Sequence, residues 1–457
     1  MSTAERTRWG LDRTERSGER EPDLEAPVIP AGRDGTVRLG GLALRDHWFD
    51  APLDHAQPSG ESVRLYAREV VAVDKVDDNL PWLLFLQGGP GGKSPRPEGA
   101  SGWIGRAVND FRVLLLDQRG TGRSSPATAR TIRRRGDAAA QADYLAHFRA
   151  DAIVADAEHI RRTLLAADGR WSVLGQSFGG FCVLTYLSFA PQGLSAAYIT
   201  GGLGPLEASA EQVYQVTYDH ARAKNAAFHA AFPDDRVRLE AVAAYLRSND
   251  VRLPDGSPLS VRRLQTLGMA FGARSGVPPV HYLLEEAFVD GPGGEELSDT
   301  FLHGVQTQLS FAGGPLYAVL HEACYAQNVA TRWAAERTRP ADFDPDASPL
   351  LLTGEMIYPW IFDDDPALAP LRDVAELLAE RDDWPALYDR EVLAGNEVPV
   401  AAALYTDDMY VDARLSSETA AAVRGLRVWK TNAYEHDGLR ETGDVLDRLI
   451  RMARGEL

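Results

Sequence analysis

Short apolar runs separated by amphipathic stretches organise the first part of this chain. Trp82–Leu86 and residues 113–116 and 171–174 are near-continuous apolar segments, the pattern of short strands buried on both faces. Within 151–167, Ile153, Val154, Ala157, Ile160, Leu164 and Leu165 fall at helical spacing. Further upstream, residues 36–73 read as two strands flanking Pro58-Ser59-Gly60, an antiparallel hairpin. Strands alternating with helices predict an α/β fold, a mostly parallel sheet covered on both sides. After Gly204-Pro205 the pattern changes. Residues 206–396 are rich in helix formers and aromatics with few strand-like runs, which predicts a large inserted helical cap. Strand character returns at 398–405 and 426–429, and a terminal helix follows at Asp444–Arg454. The organisation expected is therefore an arm without fixed structure over 1–35, a core over 36–205 and 397–457, and the cap between them.

Composition narrows the class. A chain of 457 residues with 44% hydrophobic content can bury a large core. Its net charge of −18 argues against nucleic acid and against anionic membrane surfaces as partners. The uncharged stretch 171–206 is broken by Gln176, Gly179, Gly180, Pro191, Gln192 and Gly193, so it reads as strand, helix and second strand (196–200), with no membrane span. The polar N-terminus has no signal-type apolar region, and Cys182 and Cys324 are the two cysteines, so a cytoplasmic protein without a disulfide framework is expected. The histidines are scattered, with no metal-ligand pattern and no phosphate-binding loop, so neither metal nor cofactor is expected. The runs Arg133-Arg134-Arg135 and Asp363-Asp364-Asp365 read as solvated charges.

Chemistry concentrates at Gly175-Gln176-Ser177-Phe178-Gly179. An apolar strand precedes it and an uncharged helix follows, the setting in which a G-x-S-x-G turn holds a serine hydroxyl above a sheet, as in α/β-hydrolases. A serine needs a base, and the base a carboxylate, in the chain order Ser, acid, His. Strand 398–405 runs into Asp407-Asp408, either of which can supply the acid, and His436 is the one histidine beyond them. For the oxyanion, the backbone N–H of Phe178 is one expected donor. The second is Gly89, in the loop Gln87-Gly88-Gly89-Pro90-Gly91-Gly92 after an early strand.

Taken together, Gln87 to Gly92, Asp117-Gln118-Arg119-Gly120-Thr121-Gly122-Arg123-Ser124 and the Gly-Gln-Ser-Phe-Gly-Gly turn resemble the proline iminopeptidase (prolyl aminopeptidase) family of serine peptidases. Gln87 stands where that family has histidine. The resemblance implies the α/β-hydrolase fold and favours Asp408 over Asp407 as the acid. It also implies peptides with a free N-terminal proline as substrate, their amine held by glutamates of the cap. Glu322 and Glu355 are the candidates for that clamp, with Tyr325, Tyr358 and Trp360 as walls of a pyrrolidine slot. The alternatives are an esterase, an amidase or an aminopeptidase of other first-residue preference on the same fold, and, from another class, a non-catalytic binding protein.

Overall fold

Period-two alternation survives inside the runs that look uniformly apolar. In Trp82–Leu86, Leu84 and Leu86 enter one buried cluster while Leu83 and Phe85 enter the cluster on the opposite face. Both faces of the sheet are therefore covered, and that is why these strands carry no polar side. In this computed structural model residues 35–457 are described, and the arm expected over 1–35 lies, but for Gly35, outside them.

Eleven strands occur in the described residues: β1 (Thr36–Leu39), β2 (Leu42–Pro52), β3 (Ser62–Ala72), β4 (Trp82–Leu86), β5 (Arg112–Asp117), β6 (Trp171–Gln176), β7 (Leu194–Thr200), β8 (Phe288–Gly291), β9 (Gly294–Leu297), β10 (Val400–Tyr405) and β11 (Leu426–Thr431). Nine form one sheet in the order β1-β2-β3-β5-β4-β6-β7-β10-β11. The β2–β3 hairpin and the β3–β5 pair are antiparallel, and every pairing from β5 to β11 is parallel. Strand β10 starts at Val400 rather than at residue 398, after Pro399, which has no N–H to give to a ladder.

Four helices matter below: α1 (Ala150–Leu165), α2 (Phe178–Phe189), α3 (Ala210–Ala231) and α4 (Asp444–Arg454). Helix α2 is buried from Phe178 to Ser188, which accounts for its lack of charge. No helix among the described residues is long and apolar enough to cross a membrane. The chain leaves the sheet at Thr200 and returns at Val400. The intervening segment is mainly helical and supplies most of a third hydrophobic cluster, which also takes in Met409 from the loop after β10. It contains one antiparallel hairpin, β8–β9.

Two contacts bring the functional loops together. Leu86 pairs with Gly175, so the glycine-rich loop after β4 emerges beside Ser177. Arg119, fully buried, donates to both oxygens of Asp156 on α1 and to the carbonyls of Pro52, Leu53 and His147. That network anchors the loop after β5 to α1 and the end of β2. Replacing Arg119 with methionine takes from the buried Asp156 carboxylate its guanidinium partner and leaves it the His55 ring at 2.9 Å, and should cost about 3–5 kcal/mol of unfolding free energy. Urea denaturation checks this; a loss below about 1 kcal/mol would contradict the structural role.

Candidate active site

Ser177 sits at the junction of β6 and α2 with φ 55° and ψ −127°, a conformation that costs a non-glycine residue free energy. The surrounding backbone imposes it. A Cβ on Gly175 would lie 2.2 Å from the Gly179 carbonyl oxygen, and one on Gly179 would lie 2.0 Å from that of Leu86. Similarly, a Cβ on Gly180 would come within 2.4 Å of the Gly202 oxygen. The Ser177 N–H donates to the Thr200 carbonyl at 3.0 Å, tying the turn to the end of β7.

His436 and Asp408 meet from two further loops. The His436 Nδ1 is 2.7 Å from Asp408 Oδ2, while Asp408 Oδ1 accepts the N–H groups of Tyr410 (2.8 Å) and Val411 (3.1 Å). Asp408 is buried and Asp407 is exposed, so of the two candidate acids it is Asp408 that touches the histidine. A proton on Nδ1 leaves Nε2 as the basic nitrogen. Gly201 and Gly202 let the chain after β7 pass close to both the pair and the serine: a Cβ on Gly201 would be 3.2 Å from His436 Nδ1, and one on Gly202 would be 2.3 Å from the Ser177 carbonyl oxygen. On the other side of Ser177 lies the glycine loop, where a Cβ on Gly88 would be 2.7 Å from Ser177 Cβ. Gly89 follows with φ +135°, open to glycine and strained for other residues.

The two glutamates expected to form a clamp have different surroundings. Glu355 is deep in the protein and keeps a small accessible surface; Tyr317 donates its hydroxyl to it. Burial pushes this carboxyl up to about 7, against the opposing pull of the His436 charge and the Tyr317 hydrogen bond. His436 responds in turn. Burial lowers its pKa, but the charge and hydrogen bond of Asp408, helped by Glu355, outweigh that and leave it above the ordinary histidine value. Glu322, by contrast, is buried and accepts the N–H groups of Ala334 and Ala335, each at 3.0 Å. Both its oxygens are thereby committed to the turn that follows Trp333, whose φ is 55°.

The aromatic candidates also separate. Tyr325 meets Phe181 edge-on at 5.9 Å, beside the helix that follows the nucleophile turn. Tyr358 is buried with its hydroxyl 2.9 Å from that of Tyr218, and it stacks on Trp360 at 5.4 Å. Trp360, with Phe311, Tyr317, Gly354, Met356 and Tyr410, lines a cavity of about 390 Å³. Tyr358 therefore backs the wall that Trp360 presents. Two contributors lie outside the sequence-based candidates: Tyr317, which holds Glu355, and Tyr410, whose ring meets His436 edge-on at 4.8 Å. The four-residue spacing of Tyr317, His321 and Tyr325 is a legible signal for a stripe, and Tyr317 and His321 do stack at 5.2 Å.

Residues 81–283 match the family model for the alpha/beta hydrolase fold. A proline iminopeptidase of Aeromonas sobria is 48% identical over 421 residues, covering 91% of this chain and 98% of the relative. One from Aspergillus aculeatus is 37% identical over 424 residues, covering 90% and 94%. Among solved structures, that of a proline iminopeptidase of Mycobacterium smegmatis matches with a TM-score of 0.42 at 14% identity, covering 90% of this chain and 100% of the other.

The electrostatics give a signed expectation. Asp408 and Glu355 both stabilise protonated His436 against the opposing effect of burial, and together they hold its pKa above the ordinary histidine value. Removing the Glu355 charge in Glu355→Gln should lower the His436 pKa and move the acid limb of activity to lower pH. The rate of Ser177 modification by a fluorophosphonate, followed against pH, measures this; a limb that stays put or moves upward would contradict it.

Proposed function

Because this chain belongs to the proline iminopeptidase family, we propose that it is a serine aminopeptidase that releases N-terminal proline from peptides. The observation that carries this reading is Glu355, a buried carboxylate electrostatically coupled to His436 and held by Tyr317. An esterase has no need of a buried acid there, whereas a substrate ammonium does. The ammonium supplies the counter-charge that Glu355 lacks, so binding favours the ionised carboxylate and fixes the register of the chain by one charge-assisted contact. Glu322, its oxygens on Ala334 and Ala335, shapes the frame of the insertion and leaves the open carboxylate to Glu355. Tyr325 and Trp360 wall the slot for the pyrrolidine ring, and Tyr358 supports Trp360. The helical insertion between Thr200 and Val400 serves as the cap over this slot.

Chemistry then follows from the geometry. Ser177 Oγ attacks the carbonyl carbon of the first residue as its proton passes to His436 Nε2, and Asp408 stabilises the imidazolium. The N–H groups of Gly89 and Phe178 hold the oxyanion. Collapse breaks the C–N bond, and the leaving amine takes the proton from His436. Water next attacks the prolyl ester, giving its proton to His436. Ser177 is released with that proton, and free proline departs. We place the enzyme in the cytoplasm, a setting that suits its two free, buried cysteines.

Two variants test the reading on a prolyl fluorogenic amide. Ser177→Ala should lower kcat by about 10⁴-fold or more. Glu355→Gln should lower kcat/KM by about 100-fold, the loss of a charged contact of roughly 2–3 kcal/mol, while leaving cleavage of a simple ester close to wild type. Equal losses on amide and ester would remove Glu355 from amine recognition.

A further inference from the structure

Helix α3 makes three contacts that the mechanism above does not use. His220 and Lys224 lie one turn apart and share a face. His220 Nε2 is 2.8 Å from Asp412 Oδ2, and the other oxygen of Asp412 caps the helix Ala413–Ala422 through the N–H groups of Arg414 and Leu415. Asp412 thus ends the short loop, 406–412, that carries Asp408. Lys224 Nζ is 2.5 Å from an oxygen of Glu435, the residue before His436. Next along the helix, the buried Asn225 clasps Leu352 by both backbone groups, donating to its carbonyl at 2.7 Å and accepting its N–H at 2.9 Å. Leu352 leads through Thr353-Gly354 to Glu355. The partners lie 192, 211 and 127 residues away in the chain, yet they converge on little more than one turn of one helix.

We propose that α3 is the positioning element of the site: His220 and Lys224 set the loops that carry Asp408 and His436, and Asn225 sets the segment that carries Glu355. The proposal rests on the triad assigned above. His220, Lys224 and Asn225 are positioning residues, since each acts through a neighbour of a reacting or binding group. The physical case is an asymmetry. A partly exposed ion pair such as Lys224–Glu435 contributes little to stability, whereas a displacement of about 1 Å at a base can cost on the order of 100-fold in rate. Loss of rate without loss of fold is the signature of such a helix.

The test measures Ser177 labelling by a fluorophosphonate, kcat and KM on a prolyl amide, and the thermal midpoint, for the whole enzyme and for Lys224→Met and Lys224→Arg. Lys224→Met should slow labelling and lower kcat together by about tenfold or more, with KM within about twofold and the midpoint little changed. Lys224→Arg, which keeps the cation, should recover most of the rate. Labelling needs only the triad, so slowed labelling in an enzyme that cleaves no prolyl amide would uphold the helix and sink the substrate assignment. Labelling of Lys224→Met at the wild-type rate would overturn the proposal, as would a loss that matches the fraction unfolded and is equal in Lys224→Arg. Should Lys224→Met fail to fold, His220→Gln is measured by the same readouts: slowed labelling at an unchanged midpoint upholds the proposal, and labelling at the wild-type rate overturns it.

Discussion

The close approach of four backbone segments around Ser177 is the constraint on which the rest of the site depends. Gly175, Gly179 and Gly180 allow β6, the first turn of α2, the end of β4 and the Gly201-Gly202 turn to touch without intervening side chains. Any Cβ at these positions would collide with main-chain atoms, which have nowhere to move. The serine is therefore held at φ 55° by its surroundings, and the strain is offset by the packing of a fully buried strand and of a helix buried up to Ser188. One consequence is fixed placement: the hydroxyl, the glycine loop and the His436 loop all reach the same end of the sheet, the carboxyl end of the parallel strands. Open α/β sheets bind ligands at that end because loops from both sides diverge there.

Around this rigid centre the insertion contributes charge and shape. Its carboxylates are buried in two distinct ways, and the difference decides what each can do. Glu322 is compensated by two backbone N–H groups and so behaves as part of the frame. Glu355 has the Tyr317 hydroxyl and the field of His436, and burial leaves it poised near neutrality. A group balanced in that way gains most from a cationic ligand, because the ligand replaces the water that the carboxylate has lost. The insertion also reaches back to the loop that carries His436: the His436 N–H donates to the Gly272 carbonyl at 3.1 Å, and Ser275 donates to Asp437 at 3.2 Å. His436 is thus supported by the same segment that carries Glu355.

Much of the core was legible because local pattern and tertiary role coincide there. Strand β4 and helix α4 have the bounds that apolar patterning predicts. The Gly-x-Ser-x-Gly turn is readable because its glycines answer a steric demand that few other arrangements impose. The β8–β9 hairpin was not foreseen, since its strands are mostly exposed and lack an apolar face. Glu322 and Glu355 look alike in sequence, each beside aromatics in the insertion. What separates them is which groups they meet: Ala334 and Ala335 in one case, Tyr317, 38 residues away, in the other. The choice between Asp407 and Asp408 likewise depends on the arrival of His436 from 28 residues on, a contact that no local pattern encodes.

Amine recognition by Glu355 meets its most direct test in one comparison on the wild-type enzyme: cleavage of a prolyl fluorogenic amide with a free amine against the same compound acetylated on nitrogen. A buried carboxylate that reads the ammonium predicts rapid release from the free amine and little or none from the acetylated form, with the difference carried by kcat/KM. Equal rates on the two compounds would leave a serine hydrolase without amine recognition, and would contradict the role given to Glu355.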